Sequence, residues 1–129
     1  MDTRQCAEVL PQVGVLYNRC MSDCLFCKIA AGQLPVKTVL EDELCVAFAD
    51  IHPQAPTHLL FIPKQHYANA VEAPADLLGH LLHVAATYAG AHLPQGFRIV
   101  ANTGLDGGQT VHHLHLHLLG GRHMTWPPG

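Results

Sequence analysis

His113-Leu114-His115-Leu116-His117-Leu118-Leu119 alternates imidazole and leucine over its first six residues. In a strand, neighbouring side chains leave opposite faces, so this spacing sends the leucines into a core and gathers the three histidines on one surface. Histidines two positions apart then stand about 7 Å from each other at the backbone. Three imidazoles that close repel when all are charged, so some are neutral near pH 7. A neutral imidazole is a nucleophile, a general base or a metal ligand. The segment predicts a strand over 113–119, stopped by Gly120-Gly121, whose polar face carries chemistry.

The elements before it complete an antiparallel α+β pattern. Leu25 to Ala31, ending at Gly32, reads as a short helix. Thr38 to Leu40 and Cys45 to Phe48 are β-prone runs around the acidic turn Glu41-Asp42-Glu43, and His58 to Ile62 is a third strand closed by Pro63. A long helix is expected from about Pro74 to His92, with Asp76 at its positive end and an apolar stripe of Leu77, Leu78, Leu81, Leu82, Ala85, Tyr88 and Ala89. His80 and His83 on this helix read as solvent-facing. Phe97 to Ala101 is a fourth strand, and 113–119 the fifth. The order β-β-β-α-β-β gives a sheet of about five strands with one long and one short helix. Residues 1–20 show no clear period and read as a possibly disordered extension before a single domain over 21–129.

Composition narrows the function classes. At 129 residues, 49% hydrophobic and 13% charged, the chain can bury a core and leaves apolar surface for a dimer interface. The net charge of −3 comes without any block of Lys or Arg, so no nucleic-acid footprint is expected. No apolar run reaches the ~18–20 residues of a membrane span, and no secretory signal is evident, so a cytoplasmic location is expected. Five of the eleven histidines lie between His112 and His123. The five cysteines include Cys24-Leu-Phe-Cys27, which points to metal or thiol chemistry in a reducing compartment.

The loop before the histidine strand helps choose among chemistries. Gly104, Gly107 and Gly108 let backbone amides approach an oxyanion, while Gln109 and Thr110 add side-chain hydrogen bonds. A His-x-His strand can also supply two ligands to a catalytic metal with a bound water. Beside three histidines, the glycine loop favours phosphorus chemistry over that route.

The pattern His-φ-His-φ-His-φ-φ, with φ apolar, resembles the signature of the histidine triad (HIT) superfamily. Cys-Leu-Phe-Cys-Lys-Ile, Ala-Phe-Ala-Asp-Ile, Pro-Gln-Ala-Pro-Thr-His, Ile-Pro-Lys-Gln-His, Gly-Gly-Gln-Thr-Val and the ending Leu-Leu-Gly-Gly-Arg-His-Met-Thr-Trp-Pro-Pro-Gly extend the resemblance over residues 24–129. The final Trp126-Pro127-Pro128-Gly129 is similar to the histidine triad nucleotide-binding (HINT) branch.

That resemblance implies a HIT-like fold and a homodimeric purine nucleoside phosphoramidase, acting also on aminoacyl-adenylates. His115 maps to the nucleophile that forms a nucleotidyl-histidine intermediate. His117 maps to a phosphate hydrogen-bond partner, Thr110 to the group helping protonate the leaving nitrogen, and His58 to a fourth histidine orienting the triad. Asn102, Gly108 and Gln109 fall at the phosphate site, Asp50 at the ribose hydroxyls, and Phe26, Phe48 and Ile51 around the base. Trp126 resembles an anchor reaching the partner subunit's site. Zinc-bearing members complete a Cys2His2 site with the counterparts of His66 and His113, so Cys24, Cys27, His66 and His113 are the implied ligands of a structural Zn2+, which would orient His113 and thereby support His115. His112 and His123 depart from the family pattern. A nucleotide-binding regulatory protein with residual turnover would use the same pocket, and a His-metal hydrolase is the third possibility.

Overall fold

A computed structural model describes residues 23–129, so the extension expected over 1–20 lies outside the described residues. Its elements are α1 (Leu25–Ala30), β1 (Thr38–Glu41), β2 (Cys45–Ala49), β3 (Thr57–Pro63), α2 (Ala75–His92), β4 (Phe97–Val100) and β5 (Leu116–Gly120). The five strands form one sheet in the order β1-β2-β3-β5-β4, with every neighbouring pair antiparallel. The expected α+β architecture, with one long and one short helix, is what the chain adopts.

Sheet register decides which residues share a face. Phe48 lies opposite Leu60, and Leu60 opposite His117. Counting by twos from these pairs puts Val46, Phe48, His58, Leu60, Ile62 and His117 on one face. Cys45, Ala47, Leu59, Phe61, Leu116 and Leu118 fall on the other. On that second face α2 lays Leu81, Ala85 and Ala89 against the sheet, and all these residues are buried. Burying a side chain the size of Phe61, Leu81 or Leu118 contributes roughly 1.5–3 kcal/mol each. The first face is covered by the short α1, whose Phe26 and Ile29 pack against Val46, Phe48, Leu60 and Ile62.

Turn chemistry fixes the hairpins. Asp42 Oδ1 accepts hydrogen bonds from the Leu44 and Cys45 amides, each at 2.8 Å, which closes the β1–β2 turn. Burial pushes the Asp42 carboxyl up, but those two amides and His80 outweigh it and hold its pKa at about 2.

Two expectations need correction. The fifth strand begins at Leu116, not at His113, because β3 pairs with it only from Phe61↔Leu116 onward. His113 to His115 lie outside the ladder, with a bend at His113, and are held by the Leu114 amide donating to the Tyr67 carbonyl. His80 is half-buried rather than solvent-facing, and its Nε2 lies 2.7 Å from Asp42 Oδ2, pinning α2 to the β1–β2 turn.

Candidate functional site

A cleft of about 460 Å³ opens on the α1 side of the sheet. Phe26, Ile29, Val36, Phe48 and Leu60 give it apolar walls, while Asp50, Thr110, His115 and His117 supply its polar groups. Phe26 and Phe48 meet edge to face at 5.7 Å, and Phe26 meets His115 in the same manner at 5.1 Å. Ile51 also lines the cleft but is 82% exposed, a rim residue and not a core one.

Hydrogen-bond partners assign the ring tautomers. His115 Nδ1 lies 2.7 Å from the His113 carbonyl, which can only accept, so Nδ1 carries the proton and Nε2 keeps its lone pair. His58 Nδ1 accepts from the Gln54 amide at 2.9 Å, which puts the proton of a neutral His58 on Nε2. That nitrogen lies 2.9 Å from His117 Nδ1. His117 Nδ1 is therefore the acceptor, and its own proton resides on Nε2.

Burial keeps these rings neutral. It is the largest influence on His58, His115 and His117, and it lowers the pKa of all three. The neighbouring charges of His115 and His58 push His117 further, to about 4. Asp50 opposes the trend at each ring without reversing it. A neutral imidazole with a free Nε2 in an apolar-walled cleft can attack an electrophile, and a neighbouring N–H can stabilise the charge that develops.

A second cluster sits behind the first. Cys24, Cys27, His66 and His113 bring their ligand atoms within 4.8 Å of one another. Cys24 Sγ is 3.3 Å and His66 Nδ1 is 3.1 Å from His113 Nδ1, and Cys27 Sγ is 3.2 Å from His66 Nδ1. Metal–ligand bonds of ~2.0–2.3 Å in a tetrahedron give ligand–ligand edges of roughly 3.3–3.8 Å. The distances here, 3.1 to 3.5 Å, run from just below that range into it, so a small outward relaxation would seat Zn2+. The chemistry suits it as well. His113 Nε2 lies 2.9 Å from the Pro63 carbonyl, so it carries the proton and Nδ1 offers its lone pair to the cluster. The hydrogen bond from Cys27, with His113 and His66 adding to it, overcomes burial and holds the Cys24 thiol well below its ordinary value. His113 thus has its ring in this cluster while its carbonyl holds His115.

The remaining sequence candidates lie elsewhere. Gln109 is buried, and its side chain is spent on the loop: Oε1 accepts from the Gly104 amide, and Nε2 donates to the Ala68 and Val111 carbonyls. The Gly108 and Gln109 amides donate to the Leu105 and Gly104 carbonyls. Gly107 is required by packing, since a Cβ there would meet the Thr103 carbonyl oxygen at 2.3 Å. Gly108 has φ +80, a backbone conformation that favours glycine. Within the loop, the amides of Gly104, Gly108 and Gln109 are thus already paired. Asn102 is half-buried beside this loop and is not among the residues lining the cleft, nor is Trp126, which is 80% exposed. His112 and His123 are exposed. Sequence reasoning missed the backbone amide of Gln54 and the role of Pro63 as acceptor, since backbone groups leave no signal in residue type.

The HIT domain family matches residues 31–124 of this chain. An uncharacterised HIT-like protein of Synechococcus elongatus is 56% identical over 111 residues, covering 83% of this chain and 97% of that one. A 14 kDa zinc-binding protein of Zea mays is 48% identical over 114 residues, covering 84% and 89%. The crystal structure of a HIT family hydrolase from Legionella pneumophila superposes with a TM-score of 0.79 at 53% identity, covering 83% of this chain and all of that one.

Proposed function

The chain belongs to the HIT domain family, and from that membership we propose that it hydrolyses the P–N bond of purine nucleoside phosphoramidates through a nucleotidyl-His115 intermediate. One observation carries this reading: the His115 ring is neutral, its Nδ1–H is tied to the His113 carbonyl, and its Nε2 is left for attack within the cleft. The Legionella relative, described as a hydrolase, supports the reaction class.

In the first step His115 Nε2 attacks the α-phosphorus, the P–N bond breaks, and the amine leaves with a proton that Thr110 helps deliver. Water then cleaves the phosphorus–His115 bond, releasing the nucleoside monophosphate and regenerating the ring. His117 donates from Nε2 to the phosphate, with His58 and His113 orienting the two reacting histidines. Phe26, Phe48 and Ile51 hold the base, and Asp50 takes the ribose hydroxyls. Asn102, Gly108 and Gln109 act on the phosphate side, Gln109 by bracing the loop that carries Thr110. Aminoacyl-adenylates fit the same steps, with the acyl group leaving on oxygen.

Cys24, Cys27, His66 and His113 are proposed to hold a structural Zn2+, as the name of the maize relative suggests for that protein. Bound there, the ion would tie α1 to the segments flanking β3 and β5, all four positions being filled by protein. The reduced thiols such a site needs fit a cytoplasmic location, and no helix among the described residues is long and apolar enough to cross a membrane. A homodimer is supported by the outermost position of β4 and by Phe97 on it, which is 42% exposed, with Trp126 reaching the second site.

The test is mass spectrometry of the protein mixed with an adenosine phosphoramidate and quenched rapidly under denaturing conditions. An added nucleotidyl mass on His115, absent in His115→Ala, is the expected result. AMP release without the adduct, lost on metal removal, would replace this mechanism by a metal-bound water. AMP binding with neither adduct nor turnover would leave a nucleotide-binding regulator.

A further inference from the structure

The β3–β5 ladder ends at Thr57↔Gly120, and Gln54 lies beyond it in the loop that enters β3. Both backbone groups of Gln54 are held. Its amide donates to His58 Nδ1 at 2.9 Å, and its carbonyl accepts from Arg122 Nε at 3.0 Å. Arg122 stands two residues past the end of β5, so the strand that carries His117 also leads to this arginine. The two segments approach closely there: Gly121 has φ +89, and a Cβ on it would meet Pro56 Cβ at 2.9 Å. Arg122 Nη1 donates to the His123 carbonyl at 3.2 Å, which steadies the guanidinium.

The Gln54 amide decides the state of two rings. A neutral His58 that accepts at Nδ1 has its proton on Nε2 and donates it to His117 Nδ1, 2.9 Å away, which leaves the His117 proton on Nε2. In the reverse arrangement His117 Nδ1–H donates to His58 Nε2, and His58 carries its proton on Nδ1. One hydrogen lies between the rings either way, so their mutual contact does not choose. Gln54 does, because the reverse arrangement sets the His58 Nδ1–H against the Gln54 N–H, two donors 2.9 Å apart. The Asp50 carboxylate, with Oδ2 3.4 Å from His58 Nε2, favours the same choice by its charge.

We propose that Arg122 is a positioning residue: by holding the Gln54 carbonyl it keeps the Gln54 amide on His58, and so keeps His117 as an Nε2–H donor. Arg122 is exposed and is not among the residues lining the cleft, so it acts only through Gln54. The consequence for turnover rests on the phosphoramidase reading, in which that N–H donates to the phosphate; the tautomer itself does not.

The test compares Arg122→Met, which keeps an aliphatic stem without donors, with Arg122→Lys, which keeps an ammonium. In the full chain labelled with ¹⁵N-histidine at neutral pH, wild type and Arg122→Lys should both show His58 and His117 as Nε2–H rings. Arg122→Met should move the nitrogen shifts of both rings together toward the Nδ1–H form. On an adenosine phosphoramidate, Arg122→Met should lose about threefold to fivefold in kcat with KM within about twofold, a fraction of what complete loss of a transition-state donor costs. Arg122→Lys should recover most of that loss. Histidine shifts that stay unchanged in Arg122→Met, or that move on one ring alone, overturn the proposal. So does a kcat that ignores a change in both tautomers. Wild-type protein that gives neither turnover nor a His115 adduct removes the phosphoramidase reading, while the histidine shifts still decide whether Arg122 sets the tautomer.

Discussion

On one face of the sheet α2 covers Cys45, Ala47, Phe61, Leu116 and Leu118 with Leu81, Ala85 and Ala89, an apolar layer against an apolar layer. On the other, a helix of six residues covers Phe48, Leu60 and Ile62, and buried imidazoles stand among them. Both faces belong to the same strands, so the difference lies in what α1 and α2 bring. The long helix supplies stability in excess. The thin cover leaves a cleft and brings Cys24 and Cys27 against His66 and His113. Histidines become useful under the thin cover because burial holds them neutral while backbone carbonyls and amides choose their tautomers.

The sharpest way to break this contrast is to cut one residue from each face of the same segment. His115→Ala should lower kcat on an adenosine phosphoramidate by roughly 10³-fold or more, with a melting shift of about 2 °C at most. Leu118→Ala should cost about 2–5 kcal/mol of stability, read by urea unfolding, with KM unchanged in the protein that remains folded. A His115→Ala protein that unfolds, or a Leu118→Ala protein with an altered KM, would show that the faces are not separable.

Chelation asks whether ligands replace buried area under the thin cover. With a strong chelator, amide exchange over residues 24–30 should accelerate by about tenfold or more, while α2 keeps its protection. Equal acceleration in both helices would remove the distinction. A smaller effect follows from pH. The folded pKa values of His58, His115 and His117 lie below the ordinary value, so below pH 6.5 the unfolded chain binds more protons. Stability from these rings is present above 6.5 and is lost as pH falls toward the His117 value of about 4. The melting temperature should drop by roughly 5 °C across that window, less steeply in His117→Gln. Smallest of all, His80→Ala should cost about 0.5 kcal/mol, because the His80–Asp42 pair is partly exposed to solvent.

Periodicity carried the fold a long way. The alternation at 113–118 named the face of each residue in it, although Leu119 falls on the histidine face. The stripe on α2 named Leu81, Ala85 and Ala89 as its buried side, although Leu82 in the same stripe is 51% exposed. The start of β5 was not legible, since a strand that leaves its ladder keeps its alternation. His113 and His115 are placed by bonds to Pro63 and to each other, and Leu114 between them by its bond to Tyr67, not by sheet pairing. The histidine face was readable from spacing, whereas Asp50, His58 and the Cys2His2 set came through resemblance, because no local pattern joins Cys24 to His113. The Asp42–His80 pin was missed for the same reason. Cys45, left over from the Cys-x-x-Cys pair, is wholly buried, and desolvation with Asp42 beside it pushes its thiol up to about 12. It is an inert core residue that no sequence signal separates from a reactive one.

The strict alternation before and within β5 also governs which length changes the gene can tolerate. A one-codon insertion or deletion between Val111 and Leu116 would exchange imidazoles and leucines between two occupied faces, emptying the core and the cleft in a single event. Point substitutions degrade one face at a time; a frame-preserving indel there degrades both. Length variation among functional descendants of this chain should therefore avoid the braced loop at 104–109 as well, and collect in exposed turns such as 94–96 between α2 and β4, where the chain can lengthen without turning the strand over.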